Sequence, residues 1–230
     1  MDTRASRHRA LLALLLLVPA PSLGVYMMTF GGGGSFGQVL WGLGKVWLLG
    51  FPLMWYLLVE KGRLTFPKPR CEGMLLGVIS GLLIGGAMLG AFFLFGRDWI
   101  DAEWVRQRIE IAGFGTKTKI LMLAVYTCLV NALLEEYVWR WFVYRQCEGV
   151  AGKGIAAVLL AAVLFTIHHV IALAFYFDWR IVTLATTGVF AGGVIWSWFY
   201  LRYRHIWPGY VSHVLADVAI FIMTWIIVFA

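Results

Sequence analysis

Apolar residues in this chain gather in long unbroken runs, without the polar interruptions that soluble helices and strands show. Seven runs stand out, at roughly 10–30, 37–59, 73–96, 119–144, 154–176, 181–201 and 206–229. Each is close to the ~20 apolar residues that a helix needs to cross a bilayer. Only helices and closed barrels satisfy every backbone group in lipid, and continuous runs without dyad alternation predict helices. The pattern therefore predicts an all-α polytopic membrane protein, a seven-helix transmembrane bundle forming one domain over 1–230. The Gly31–Gly34 tract predicts a short hinge between the first two helices. Arg4, Arg7 and Arg9 precede the first run as in a signal peptide. No small-residue cleavage pattern follows, however, and apolar character continues through Pro19 and Pro21 to Phe30, so this helix is expected to be retained. The segment Trp99–Ile111 mixes apolar and charged residues, which fits either an amphipathic helix on the membrane surface or a solvated loop.

Composition excludes the alternatives. The 230 residues are 61% apolar and only 13% charged, with a mean hydropathy of +0.82. Soluble domains are about 45–50% apolar and roughly 25% charged, and a globule of this size has too little interior to bury the difference. Twelve Trp and sixteen Phe exclude disorder, and three cysteines without metal spacing or an obvious pairing exclude a disulfide scaffold. Cys71, Cys128 and Cys147 are expected to be reduced.

The net charge of +7 is distributed unevenly. Eleven basic residues (4, 7, 9, 61, 63, 68, 70, 145, 153, 202 and 204) fall on one predicted side, and six (97, 106, 108, 117, 119 and 180) on the other. The positive-inside rule then places the N-terminus in the cytoplasm and the C-terminus outside. The charge is a topology signal and attracts anionic headgroups; it does not point to nucleic acid. The compact chain with minimal loops points to a bacterial cytoplasmic membrane.

Ionisable groups inside hydrocarbon cost about 2.5–3.5 kcal/mol each on insertion scales, so those that remain mark function. The runs contain Lys45, Asn131, Glu135, Glu136, Arg140, His168, His169, His213 and Asp217. All but Lys45 lie on the fourth, fifth and seventh helices, which predicts one shared polar site. Glu136 and Arg140 are four apart and can pair on one face. Glu135 is rotated by about 100° and is expected to have no such local partner, so it suits a general base. His168 and His169 also point about 100° apart, so one of them is expected to face the site. His213 and Asp217 share a face. A carboxylate base with two histidines is what water-mediated acyl hydrolysis requires, and no serine- or cysteine-nucleophile motif is present.

These segments resemble the CPBP family of intramembrane proteases, which includes type II CAAX prenyl endopeptidases and bacteriocin-processing enzymes. The family shows Glu-Glu-x-x-x-Arg, Phe-x-x-x-His and His-x-x-x-Asn on successive helices. Here the matching residues are Glu135, Glu136 and Arg140, then Phe165 and His169, then His213 and Asp217, within a core of about 119–220. The resemblance implies that Glu135 and His169 activate water, that His213 and position 217 stabilise the oxyanion, and that Glu136 and Arg140 brace the site. His168 has no family counterpart and is expected to support the others. Asp217 departs from the family's Asn: an ionised Asp cannot donate a hydrogen bond, so it would orient His213 or donate in its protonated form.

The expected activity is endoproteolysis of a membrane-associated peptide or protein, with no cofactor. Three other readings use the same residues. His169, His213 and Glu135 would make a three-ligand zinc site. Buried acids and histidines also serve transporters and proton relays, although no internal repeat supports that here. A family member that has lost catalysis would serve as a binding scaffold. One difficulty is depth: Glu135 lies roughly 15 Å from Arg145 while His169 lies roughly 24 Å from Lys153, so the fifth helix is expected to begin below the surface or to tilt.

Overall fold

The computed structural model describes residues 3–30, 35–64 and 70–230. The predicted Gly31–Gly34 hinge lies outside them. The described residues are helical, with seven segments long and apolar enough to cross a membrane. In chain order these are α1 (Ser6–Met27), α2 (Phe36–Val59), α3 (Met74–Trp99), α5 (Lys117–Ala151), α6 (Ile155–Tyr176), α7 (Trp179–Tyr203) and α8 (Trp207–Phe229). Between α3 and α5 lies a shorter helix, α4 (Ala102–Ile111). The protein is thus an integral membrane helical bundle.

Local chemistry sets the ends of these helices. Pro19, which has no N–H, stands after a turn at Val18 within α1. Asp101 caps α4 by accepting from the Trp104 amide at 2.9 Å. Asp178 caps α7 in the same way, accepting from the Ile181 and Arg180 amides. Those backbone donors and the Arg180 side chain hold the exposed Asp178 carboxyl below its ordinary range.

Trp99–Ile111 thus contains a helix, and it is anchored. Val105 is buried, and Arg106 Nε donates to the Ile227 and Val228 carbonyls at the end of α8, at 3.1 and 3.2 Å. Those carbonyls have no partner within their own helix, and the guanidinium satisfies them.

α5 runs to Ala151, seven residues beyond the expected end at 144. This removes the depth difficulty. Glu135 lies about 24 Å from the end of α5, and His169 about 21 Å from the start of α6, so the two meet without an unusual tilt. The core sits where α5, α6 and α7 converge, around Trp139, Phe142, Tyr144, Phe165, Trp196 and Tyr200. α3 packs along α8, and α1 and α2 pack together over one side of α5 and α6.

Candidate active site

α5 supplies most of the polar side chains. It widens to i→i+5 turns over Tyr126–Asn131 and again over Glu136–Tyr144, on either side of Glu135. Such widened turns recur at functional sites because they redirect side chains that a regular helix would stack.

Glu136 faces inward and is fully buried. Its Oε1 lies 3.1 Å from His213 Nδ1 on α8 and 3.5 Å from the Arg140 guanidinium, so the predicted pairing with Arg140 is present. Arg140 is held by that ion pair and by aromatic faces, 4.4 Å above the Phe165 ring and 5.1 Å from that of Trp196. Among the described residues its guanidinium makes no hydrogen bond, the Glu136 contact being an ion pair only. His213 stacks on Trp196, with ring centroids 4.0 Å apart. Trp196 Nε1 in turn donates to Ser212 at 2.9 Å, and Ser80 on α3 bonds to the same hydroxyl. With Nδ1 directed at Glu136, His213 presents Nε2 to Glu135 Oε2 at 3.6 Å and to Asp217 Oδ1 at 3.8 Å.

Glu135 stands between this buried network and a cavity of about 220 Å³. Around the cavity stand Lys45 from α2, Asn131 from α5, and both His168 and His169 from α6, set among apolar residues of α1, α2 and α5. Glu135 Oε1 accepts from Asn131 Nδ2 at 2.9 Å, and Asn131 Oδ1 accepts from Lys45 Nζ at 2.8 Å. His169 Nδ1 is engaged by the Phe165 carbonyl at 2.9 Å, which leaves Nε2 for the cavity. His168 is 8% exposed and stacks on Trp139, 5.2 Å away and nearly parallel.

All seven predicted site residues therefore cluster, with three differences from expectation. Glu135 does have a partner on its own helix, Asn131, four residues before it. Both histidines of α6 face the cavity, their rings 4.0 Å apart, because the cavity is wide enough to span the 100° between them. His213 and Asp217, by contrast, do not line it: they lie behind Glu135, at 5% and 7% exposure. The group able to hold a cation among the described residues is Glu135, His168 and His169, with ligand atoms within 4.8 Å of one another, and not the set with His213. Lys45 and Asn131 had been visible as polar residues within apolar runs. The i, i+4 spacing of Asn131 and Glu135 is the signal that could have joined Asn131 to the site; nothing in the sequence joins Lys45 to it.

A model of the type II CAAX prenyl endopeptidase Rce1-like family matches residues 117–219. Comparison with curated proteins and with solved structures gave no match. The matched segment holds all three motifs and every predicted site residue, and leaves out α1, α2 and Lys45. Over residues 117–219 this membrane protein is thus similar to the Rce1-like type II CAAX prenyl endopeptidases, a family of proteases consistent with the CPBP resemblance.

Proposed function

We propose that this protein is an intramembrane endopeptidase that cleaves membrane-associated peptides or proteins with a water activated by Glu135 and His169. The observation that supports it is the position of Glu135, whose carboxylate is held by Asn131 at the cavity wall. Water between Glu135 and His169 Nε2 gives a proton to the carboxylate, and its oxygen bonds to the scissile carbonyl carbon. The carbonyl electron pair moves to oxygen. His213, doubly protonated and anchored through Nδ1 to Glu136, lies behind Glu135 and meets that oxyanion from Nε2 once the scissile carbonyl enters beside the Glu135 carboxylate, and Asp217 orients the ring. Collapse breaks the C–N bond, and Glu135 returns its proton to the leaving amine. Glu136 and Arg140 hold His213 in place. No cofactor takes part.

The test is Glu135→Ala expressed in the native membrane, followed by identification of the uncut protein that accumulates and co-purifies with it. Loss of a general base lowers cleavage by about 10²–10⁴-fold. A Glu135→Ala protein that cleaves the accumulated substrate at the wild-type rate overturns the mechanism. The triad Glu135, His168 and His169 favours one second reading, a zinc-dependent hydrolase. Metal analysis of the purified protein, with cleavage assayed after chelation and after zinc return, separates the two.

A further inference from the structure

Lys45 has no role in that mechanism, yet it is the one lysine or arginine on the cavity wall. It lies about 14 Å from one end of α2 and about 21 Å from the other, deep in the span. A cation at that depth is costly and stays only where something compensates it. Its ammonium carries three donors. One goes to Asn131 Oδ1 at 2.8 Å, and the Trp41 ring stands 5.4 Å away on the same helix. Both neighbours are neutral, and among the described residues the ammonium makes no second hydrogen bond. Ala20, Pro21, Val25, Leu48 and Leu134 form other parts of the cavity wall and offer no side-chain acceptor. Unused donors on a full charge thus face a space that is otherwise mostly apolar. Asn131 stands between the ammonium and Glu135, donating to Oε1 at 2.9 Å. Followed along that bridge, Lys45 Nζ and Glu135 Oε1 are at most about 8 Å apart, a distance that about two extended residues span.

We propose that Lys45 is a specificity-determining residue: its ammonium binds a carboxylate of the peptide substrate, about two residues from the bond cleaved. The proposal rests on the protease reading and adds the substrate's chemistry to it. A carboxylate is the anion that a peptide itself carries, as its C-terminus or as an Asp or Glu side chain. Two carboxylate oxygens accept the two unused donors, and a charge-assisted bond is strongest where the surroundings are apolar. The bound peptide supplies the counter-charge that the empty cavity lacks beside Lys45, and its apolar neighbours meet the remaining walls. The subsite comes from α2, outside residues 117–219, so it belongs to this chain and not to the family-matched segment. Tyr137 on α5 donates to the Leu49 carbonyl at 3.0 Å and holds α2 at this distance from Glu135.

The test reads binding, not cleavage. Three photoprobes share a decanoyl chain that carries a diazirine. It is coupled to alanine, with a free C-terminal carboxylate; to alaninamide, with none; or to aspartic acid α-amide, with a side-chain carboxylate. Full-length protein in detergent is irradiated with each probe at neutral pH, and mass spectrometry counts adducts on the cavity walls. In the wild type at least one acid probe labels the cavity at least about tenfold more than alaninamide, the low end for a hydrogen bond to a charged group. Capture of the alanine probe identifies a C-terminal carboxyl as the ligand, and capture of the aspartic acid probe an acidic side chain. Lys45→Met and Lys45→Gln bring the acid probes down to the alaninamide level, whereas Lys45→Arg keeps their advantage. Alaninamide labelling is the same in all four proteins, which shows that the cavity persists. Three results overturn the proposal: a wild type that labels equally with all three probes, a folded Lys45→Met or Lys45→Gln that keeps the acid advantage, or a loss shared by all probes, as a purely structural lysine would give. The first of these needs no variant to fold. Each leaves the protease reading standing, because the latter fails only on the cleavage result for Glu135→Ala.

Discussion

Glu136 occupies its place only because residue 209 has no side chain. A Cβ built on Gly209 falls against Glu136 Oε2, an atom that makes no hydrogen bond among the described residues. Arg140 and His213 hold the rest of that carboxylate, so it cannot yield without releasing the imidazole. Gly209→Ala is therefore expected to cost about 1–3 kcal/mol in thermal unfolding, the range for overpacking a filled core. It is also expected to lower cleavage of the protein trapped by Glu135→Ala at least about tenfold, because His213 loses its anchor. Full activity with an unchanged melting temperature counts against the anchoring role of Glu136. At this scale the sequence showed the ion pair of Glu136 and Arg140 and the mutual nearness of the motif residues, because i, i+4 spacing and membrane cost are local arguments. It did not show that His213 turns away from the cavity, since that depends on Glu136 reaching across from another helix. Nor did it show that Lys45 belongs to the site, since α2 meets α5 only in the folded bundle.

α3 and α8 pack with their backbones close together, and that contact depends on a glycine stripe. Gly77, Gly81 and Gly85 are buried at four-residue spacing. A Cβ at Gly77 would stand 2.5 Å from the Pro208 carbonyl oxygen, and one at Gly81 would stand 2.9 Å from Ser212 Cα. Backbone atoms cannot give way as side-chain ends do, and small residues are what bring helices together in lipid, where no hydrophobic drive does so. Gly77→Val is expected to separate the two helices, cost more than about 3 kcal/mol in detergent unfolding, and break the Ser80–Ser212 bond behind His213. Gly86 has open space around its Cα, so Gly86→Ala on the same helix is the control and leaves the melting point unchanged or slightly raised. Equal effects of the two would show that the stripe does not set the contact. The seven spans themselves were legible, because hydrocarbon length imposes a strong one-dimensional signal. The end of α5 was not, because its last turns carry Arg145 and Glu148 and read as loop. The helix continues because Arg145 pairs with Glu60 at 3.1 Å and Glu148 with Arg204 at 2.7 Å, contacts between residues far apart in sequence.

Those same ion pairs gather the start of the loop after α2, the end of α5 and the end of α7 at one pole of the molecule, where Tyr203 also lies over Gly73 at the start of α3. Burial and the nearby Arg70 hold His205, at this pole, below its ordinary range. This is the pole on which most of the basic loop residues fall, and the positive-inside rule predicts that it is cytoplasmic. The chain carries its own reporter for that orientation. Cys71 is exposed at this pole, whereas Cys128 and Cys147 are buried. A membrane-impermeant maleimide applied to intact cells is therefore expected to leave the wild-type protein unlabelled, and to add to one thiol once the cells are permeabilised. Asp98, exposed at the far end of α3, gives the converse: Asp98→Cys in a Cys71→Ser background is labelled in intact cells. Labelling of Cys71 from outside, with Asp98→Cys protected, would invert the orientation and move the approach to Glu135 relative to both compartments. The two sites lie at opposite ends of one continuous helix, so a single reagent reads both poles, and the pair cannot both be protected if that helix spans the membrane.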